Sequence, residues 1–398
     1  MSGAPEASAA DAGRPRAVVA GLLAVDIHPG LPPNTTLGAL QPGHLLRLDA
    51  RSSHVGIGGV VAVAMVMAKL ALVRAAAAAC VGADALGRLA RDRLEHQGVD
   101  AGGLVEMPDL PTSFTVVLSP PGVDRMFLHL EGANAAFAAA HVPAERLART
   151  QLLHFGYPTL LTVFAGPAGQ AELCALLLRA RAAGVRTSLD LSLPDPQAPG
   201  ASVDWRARLA AALPLVDLFE PSWEELLMVL RPAAVAQVDT LVSPALLAEL
   251  GDELIALGCP VALIKLGERG CYLRTAQPTF LPHNWHNREL FAPARLPAAV
   301  CSTCGAGDAA IAGFLSAVLT GCSPCDALVM ATATGAAAVE GPDSDSTVPA
   351  WTELAERVAA GWPLHPTAAA FAPWPALSGH AAVLASARDQ ISLIQKEK

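Results

Sequence analysis

The chain has 398 residues, 53% of them hydrophobic and only 16% charged, with a formal net charge of −9 at pH 7. So much apolar surface excludes a solvated disordered chain, and an acidic balance with 5% aromatic residues excludes a basic nucleic-acid footprint or a base-stacking platform. Mean hydropathy is +0.41, yet the longest uncharged apolar stretch, residues 55–68, stops at Lys69, short of the roughly 20 residues that span a membrane.

Residues 1–15 mix Ala, Gly, Ser and Pro with two acids before Arg14. They lack the basic start and apolar core of an export signal, and read as a disordered tail ahead of one domain over 16–362. The expectation is a cytoplasmic protein whose eight cysteines are reduced thiols. Residues 16–27 form an apolar run of strand length carrying Asp26. Gly58-Gly59 opens an apolar segment to Leu72, long enough for a buried helix. Residues 75–81 suit a helix by propensity, but their shortness and the following Gly82-Ala83-Asp84 favour a buried parallel strand. Residues 84–97 place Leu86, Leu89 and Leu94 at helical spacing before a Gly98 stop. Two short strands, 112–119 and 125–130, flank the turn signal Pro120-Pro121-Gly122 and predict a hairpin. Strand-like runs at 152–156, 185–191, 215–220 and 261–266 alternate with helices such as 168–183 and 243–257. Such repeats predict an α/β fold, a mainly parallel sheet covered on both faces. Residues 308–320 and 324–339 read as two late helices. The Pro- and Ala-rich extension 363–398 carries no readable pattern.

The strongest chemical signal is Ser302-Thr303-Cys304-Gly305-Ala306-Gly307-Asp308 at the mouth of an apolar helix. Open backbone N–H groups and the positive end of the helix dipole make an anion site there, and glycine lets a phosphate approach closely. An acid beside that site has a use as general base toward an attacking hydroxyl; the plainer alternative is that Asp308 caps the helix. Cys301-x-x-Cys304 and Cys322-x-x-Cys325 match zinc-ribbon spacing. The helix expected between them would hold the pairs roughly 20 Å apart, against one zinc with four ligands at about 2.3 Å. Gly56-x-Gly58-x-x-Val61 is a dinucleotide fingerprint without its third glycine or its strand–helix setting. His283-x-x-His286 lacks partners and reads as a loop.

Taken in order, these pieces resemble the ribokinase-like (PfkB) family of carbohydrate kinases. Gly305-Ala306-Gly307-Asp308 is similar to the end of the family's D-T-x-G-A-G-D. Residues 21–26 resemble its first strand, whose Asp holds substrate hydroxyls, and Gly58-Gly59 its glycine pair at the sugar site. Gly82-x-Asp84-x-x-Gly87 with Gly98-Val99-Asp100, then Gly132-Ala133-Asn134 and Lys265-Leu266-Gly267-Glu268-Arg269-Gly270, follow in the family's order, so the resemblance spans about 16–355. The departures are specific. Ser302 stands for the family's first Asp, Ala62 or Val63 for an asparagine after the glycine pair, and Ser192 for an Asn after Asp190. The N-x-x-E motif appears as Ser222-Trp223-Glu224-Glu225. Each lost amide removes a paired donor and acceptor.

The resemblance implies a ribokinase-like three-layer fold with a small β-sheet lid from about 27–55 and 110–131. It implies transfer of the γ-phosphoryl group of ATP to a hydroxyl of a sugar or sugar-like molecule, with Asp308 as base and the amides of Gly305, Ala306 and Gly307 as anion hole. Ser222, Glu225, Lys265, Gly267, Gly270 and Thr303 would serve the nucleotide, and Glu225 the water shell of Mg2+. Asp26, Gly58, Gly59 and Asp308 would hold the acceptor. ATP and Mg2+ are the implied cofactors, with a monovalent cation such as K+ as a further candidate. The partner is a small molecule rather than a nucleic acid or a membrane, and an open lid edge suits a homodimer. The rival reading is a ligand-binding or regulatory protein of the same fold with weak or no kinase activity. Ala62, Ser192 and Ser222 favour the rival; residues 305–308 and Glu225 oppose it.

Overall fold

Alternation along the first strand divides the molecule's interior in two. Ala17 and Val19 pack into one apolar cluster, while Val18 and Ala20 pack into the other. Side chains of a strand point to opposite faces, so the sheet is covered on both sides and the fold has three layers. The structure, a computed structural model, describes residues 13–36, 38, 41–120, 125–366, 371 and 374–389. Most of the expected N-terminal tail, the Pro121-Gly122 turn and the end of the C-terminal extension lie outside the described residues.

In chain order the strands are β1 (Arg16–Gly21), β2 (Ala24–His28), β3 (His54–Gly58), β4 (Arg74–Gly82), β5 (Asp100–Met107), β6 (Phe114–Leu118), β7 (Met126–Leu130), β8 (Leu152–Gly156), β9 (Arg186–Leu189), β10 (Leu218–Phe219), β11 (Val261–Lys265), β12 (Gly270–Thr275), β13 (Glu289–Pro293), β14 (Ala376–Leu377) and β15 (His380–Ala385). Eleven of them form one sheet in the order β14-β15-β13-β12-β11-β10-β9-β8-β1-β4-β5. Pairings from β11 through β10, β9, β8, β1 and β4 to β5 are parallel, and those from β11 outward to β14 are antiparallel. The remaining strands form a separate sheet ordered β3-β2-β6-β7.

The helices at Val61–Leu70, Ala306–Leu319 and Pro324–Ala338 cover one face; those at Gly169–Ala182, Trp205–Ala212, Trp223–Leu230 and Pro244–Ala256 cover the other. β4 is the alanine run that propensity alone would make helical. Ala75, Ala77 and Ala79 join one core cluster and Ala76 and Ala78 the other, so a central strand buried on both faces overrides propensity. No described helix is long and apolar enough to cross a membrane.

Two expectations are corrected, and the extension that carried no readable pattern is placed. The run 16–27 is two strands rather than one. Gly21, at φ +130 and with Gly156 O only 2.5 Å from where a Cβ would stand, ends β1, and the chain passes into the small sheet; Asp26 therefore lies on β2 rather than on the first strand of the main sheet. The run 215–220 holds only the two-residue β10, because Leu213–Leu215 winds into a 3-10 turn around Pro214. The extension beyond residue 362 adds β14 and β15 to the main sheet beside β13, with Phe371 stacked on Phe291 at 3.7 Å.

Candidate active site

A cavity of about 900 Å³ opens between the small sheet and the main body. From the small sheet and the turn after it come Asp26, Gly58, Gly59, Thr115 and His129; from the main body come Glu225, Gly305 and Asp308. The Asp26 carboxylate occupies the space where a side chain on residue 58 would be: a Cβ there would lie 1.9 Å from Oδ2. Gly59 has φ +75, and a Cβ would fall 2.6 Å from Leu22 O. The glycine pair is thus required by the packing of Asp26 and Leu22. Burial pushes the Asp26 carboxyl up to about 7, against the hydrogen bond from Thr115, its register partner on β6. Thr115 Oγ1 also meets His129 Nδ1 at 3.0 Å.

Across the cavity, Gly305 caps the helix Ala306–Leu319 with φ +76, and a Cβ there would sit 2.3 Å from Ser344 Cβ. The first amides of a helix have no partner within it. Ala306 N–H reaches Thr303 O at a long 3.4 Å, whereas the amides of Gly305 and Gly307 have no acceptor among the described residues. Asp308 stands in the first turn, 7% exposed. It is not the helix cap; its Oδ1 accepts from the Tyr157 hydroxyl at 2.8 Å. Burial pushes Asp308 up to about 7, Asp190 and Asp26 add to this, and Tyr157 and Lys265 oppose it.

Behind this turn lies a buried charge cluster. Lys265, at the end of β11, donates from Nζ to Asp190 Oδ1 at 2.7 Å and to Glu220 O at 2.5 Å. Its Cε would lie 3.6 Å from a Cβ on Gly307, so the ammonium stem runs along the anion turn. Burial works against the Lys265 charge, but Asp190, Glu225 and Asp308 hold it protonated. Burial and then Asp190 push Glu225 up to about 8. Ser222 and Glu225 form a reciprocal capping box on the helix Trp223–Leu230: Ser222 N–H donates to Glu225 Oε2 at 2.7 Å, and Glu225 N–H to Ser222 Oγ at 3.3 Å.

The expected residues therefore divide. Asp26, Gly58, Gly59, Glu225, Gly305 and Asp308 line one cavity. Ala306, Gly307, Ser222, Lys265, Gly267, Gly270 and Thr303 are not among its lining residues. Ser222 spends its hydroxyl on the helix cap. Thr303 Oγ1 accepts from Arg125, which leads into β7. Gly267 and Gly270 shape the turn after β11 at φ +57 and +121. The departures resolve as well. Ala62 and Ser192 line the cavity, while Val63 belongs to the core. Sequence reasoning missed Tyr157, Thr115, His129, Arg125 and Asp343. The one available signal was position, since Tyr157 follows the C-terminal end of a parallel strand, where such folds bind ligands.

Asp190 bonds the buried Lys265 ammonium directly, while Glu225 and Asp308 act on it through their charge, and all three carboxyls are held above their ordinary range. Carboxyl oxygens suit a hard divalent cation, and Glu225, which lines the cavity, is placed to reach such an ion's water shell. Among the described residues no cluster of three or more metal-ligating side chains is present.

The sequence profile of the pfkB family carbohydrate kinases matches residues 45–351. The chain belongs to this family, and it is an enzyme of the carbohydrate kinase type. Solved structures agree in fold. A provisionally named ribokinase II from E. coli, in complex with ATP and Mg2+, aligns with a TM-score of 0.67 at 19% identity, covering 87% of this chain and 99% of that one. Fructokinase from Xylella fastidiosa with bound ATP gives 0.67 at 18%, covering 87% and 98%. Aminoimidazole riboside kinase from Salmonella enterica, complexed with aminoimidazole riboside and an ATP analogue, gives 0.62 at 22%, covering 86% and 99%.

Proposed function

We propose that the protein moves the γ-phosphoryl group of ATP onto a hydroxyl of a sugar or sugar-like small molecule bound in this cavity. The observation that carries the reading is Asp308. It is a buried carboxylate in the first turn of a helix at whose mouth the amides of Gly305 and Gly307 are open, and it shares the cavity with Asp26. Asp26 and the backbone at Gly58-Gly59 hold the acceptor. Asp308 takes the proton of its attacking hydroxyl. The amides of residues 305–307 face the charge on the transferred group, and Lys265 adds a fixed cation behind them. Magnesium, when bound, neutralises charge on the phosphates, and Glu225 with Asp190 are the residues that would hold its water shell. The small sheet, acting as a lid, keeps water from taking the phosphoryl group. The relatives solved with ATP, Mg2+ and a riboside support this assignment.

The test is ADP release, together with 31P detection of the new phosphate ester, over a panel of sugars, polyols and nucleosides with and without Mg2+. Magnesium-dependent turnover of at least one acceptor, lost in Asp308→Asn, is expected. Binding of a panel member without any ester formed would instead favour the ligand-binding protein.

A further inference from the structure

We propose that Tyr157 is the positioning residue of the reaction: its phenol holds Asp308 through Oδ1, leaving Oδ2 to take the acceptor's proton. The inference rests on the reading of Asp308 as base. The hydroxyl donates to Oδ1 at 2.8 Å. In the step served, the acceptor O–H bond breaks as its oxygen bonds to the γ-phosphorus. The proton passes to Asp308 Oδ2, the bond from the γ-phosphorus to the bridging oxygen breaks, and ADP leaves.

The backbone at this position is unusual. Tyr157 has φ 62 and ψ 38, a left-handed conformation rare for a bulky residue. It also precedes Pro158, which disfavours helical backbone in the residue before it. Strain of this kind survives where surrounding structure enforces it, and it concentrates at functional sites. Here the enforcement is visible. A Cβ on the preceding Gly156 would lie 2.3 Å from Val60 Cγ2, so the chain leaves β8 by one route. The ring then wedges between both core clusters with its hydroxyl at the cavity.

The phenol is a permanent donor. Burial, then the charges of Asp308 and Asp190, hold its ionisation well above 10. The charged groups facing Asp308 are Asp190, Lys265 and Asp26, the thiol of Cys304, which burial pushes up to about 11, also faces it, and Glu225 also faces the phenol. Lys265 is committed to Asp190 and Glu220. Tyr157 is thus the neutral donor on the base itself. A donor to the charged form favours that form, so removing it must raise the pH at which Asp308 ionises.

The test uses the full chain with Tyr157→Phe, and with Tyr157→Asn, whose side chain tolerates left-handed backbone. In both, the acid limb of the kcat/KM profile moves to higher pH. The loss is about tenfold near pH 6.5 and narrows to about threefold above pH 8.5, while KM for ATP stays unchanged. In an Asp308→Asn background Tyr157→Phe adds no further loss. A uniform loss at every pH, or additive losses in the double variant, overturns the proposal. A 13C titration of the Asp308 carboxyl, assigned by its absence in Asp308→Asn, gives a readout without turnover: its midpoint rises in Tyr157→Phe. An unmoved midpoint overturns the role of Tyr157 even if Asp308→Asn is inactive. Full turnover in Asp308→Asn alone would overturn the base assignment instead.

Discussion

The carboxylate of Asp26 lies directly over the Cα of Gly58, so close that a Cβ there would stand 1.9 Å from Oδ2 and 2.5 Å from Cγ. The two residues belong to neighbouring antiparallel strands, with Asp26 opposite Gly56 and Ala24 opposite Gly58. A methyl at 58 cannot be absorbed by backbone, so the Asp26 side chain must swing away. Gly58→Ala should therefore raise KM for the acceptor at least about tenfold, since displacements near 1 Å cost up to about 100-fold. KM for ATP should stay within about twofold. Initial rates with each substrate varied in turn decide it, and an unchanged acceptor KM would remove Asp26 from acceptor binding.

Asp26 and Asp308 are both held near 7 by burial. A base must be ionised to accept a proton, so kcat/KM should rise with pH through about 7 and level off above it. Asp308→Asn should lower the plateau by about 10² to 10⁴. A pH-rate profile flat from 5.5 to 8.5, estimated as roughly the span over which such a group titrates, would contradict both environments.

The same shift has a cost for stability. Asp308 ionises near 7 in the folded protein against a reference value of 3.8, so the folded state holds its proton more tightly. The stability this contributes is full below the unfolded value and is lost as pH rises through about 7. At pH 8 the buried charge costs up to about 4 kcal/mol. Asp308→Asn keeps an acceptor for Tyr157 and removes that charge. Its Tm should exceed the wild type's at pH 8 and match it near pH 4. Equal curves at both pH values would mean that the carboxylate is solvated.

Much of the candidate site was legible because its parts are backbone features with sequence signatures. Glycines at 58, 59 and 305 mark close approach or left-handed backbone, and Asp308 opens an apolar helix. The three layers were legible from alternation and punctuation. What sequence could not supply was pairing across distance. Nothing in the local pattern around Tyr157 announces a partner 151 residues away, nor does Arg125 announce Thr303, 178 residues on. The break between β1 and β2 was hidden because Leu22 and Leu23 continue the apolar run; only the close approach of Gly21 to Gly156 O ends it. The last strands were illegible because β14 has only two residues and β15, although Val383 and Ala385 enter the core, follows a Pro- and Ala-rich stretch without strand alternation.

Ser222 and Glu225 carry two roles that substitution can separate. Their capping box stabilises the helix Trp223–Leu230, and Glu225 lines the cavity. Ser222→Ala removes the cap, with an expected loss of about 1 kcal/mol and a normal magnesium requirement. Glu225→Gln retains a box-forming side chain but not the carboxylate. It should leave stability nearly unchanged while raising the Mg2+ concentration for half-maximal rate. Glu224, exposed on the same helix, serves as control. Identical magnesium titrations for Glu224→Gln, Glu225→Gln and wild type would confine Glu225 to the cap.

The extension past residue 362 is fastened to the main sheet by charge. Arg288 donates to Asp389 through Nε at 2.7 Å and through its second guanidinium nitrogen at 3.2 Å, and Glu289 N–H adds a bond at 3.1 Å. The paired side chains are 3% and 0% exposed. Next to them, Arg388 grips both oxygens of Glu289 at 2.8 Å and reaches Asp252 at 2.6 Å. Removing one member of a buried pair strands the other charge, which typically costs about 3–5 kcal/mol. Asp389→Ala should lower stability by about that amount in a urea titration. The double variant Arg288→Met with Asp389→Leu should recover a large part of it, because a well-packed apolar replacement leaves no charge behind. Neither substitution touches the cavity residues, so KM for ATP and acceptor should hold in both. A loss below about 1 kcal/mol in Asp389→Ala would mean that water reaches Arg288 and that the extension is not clamped to β13.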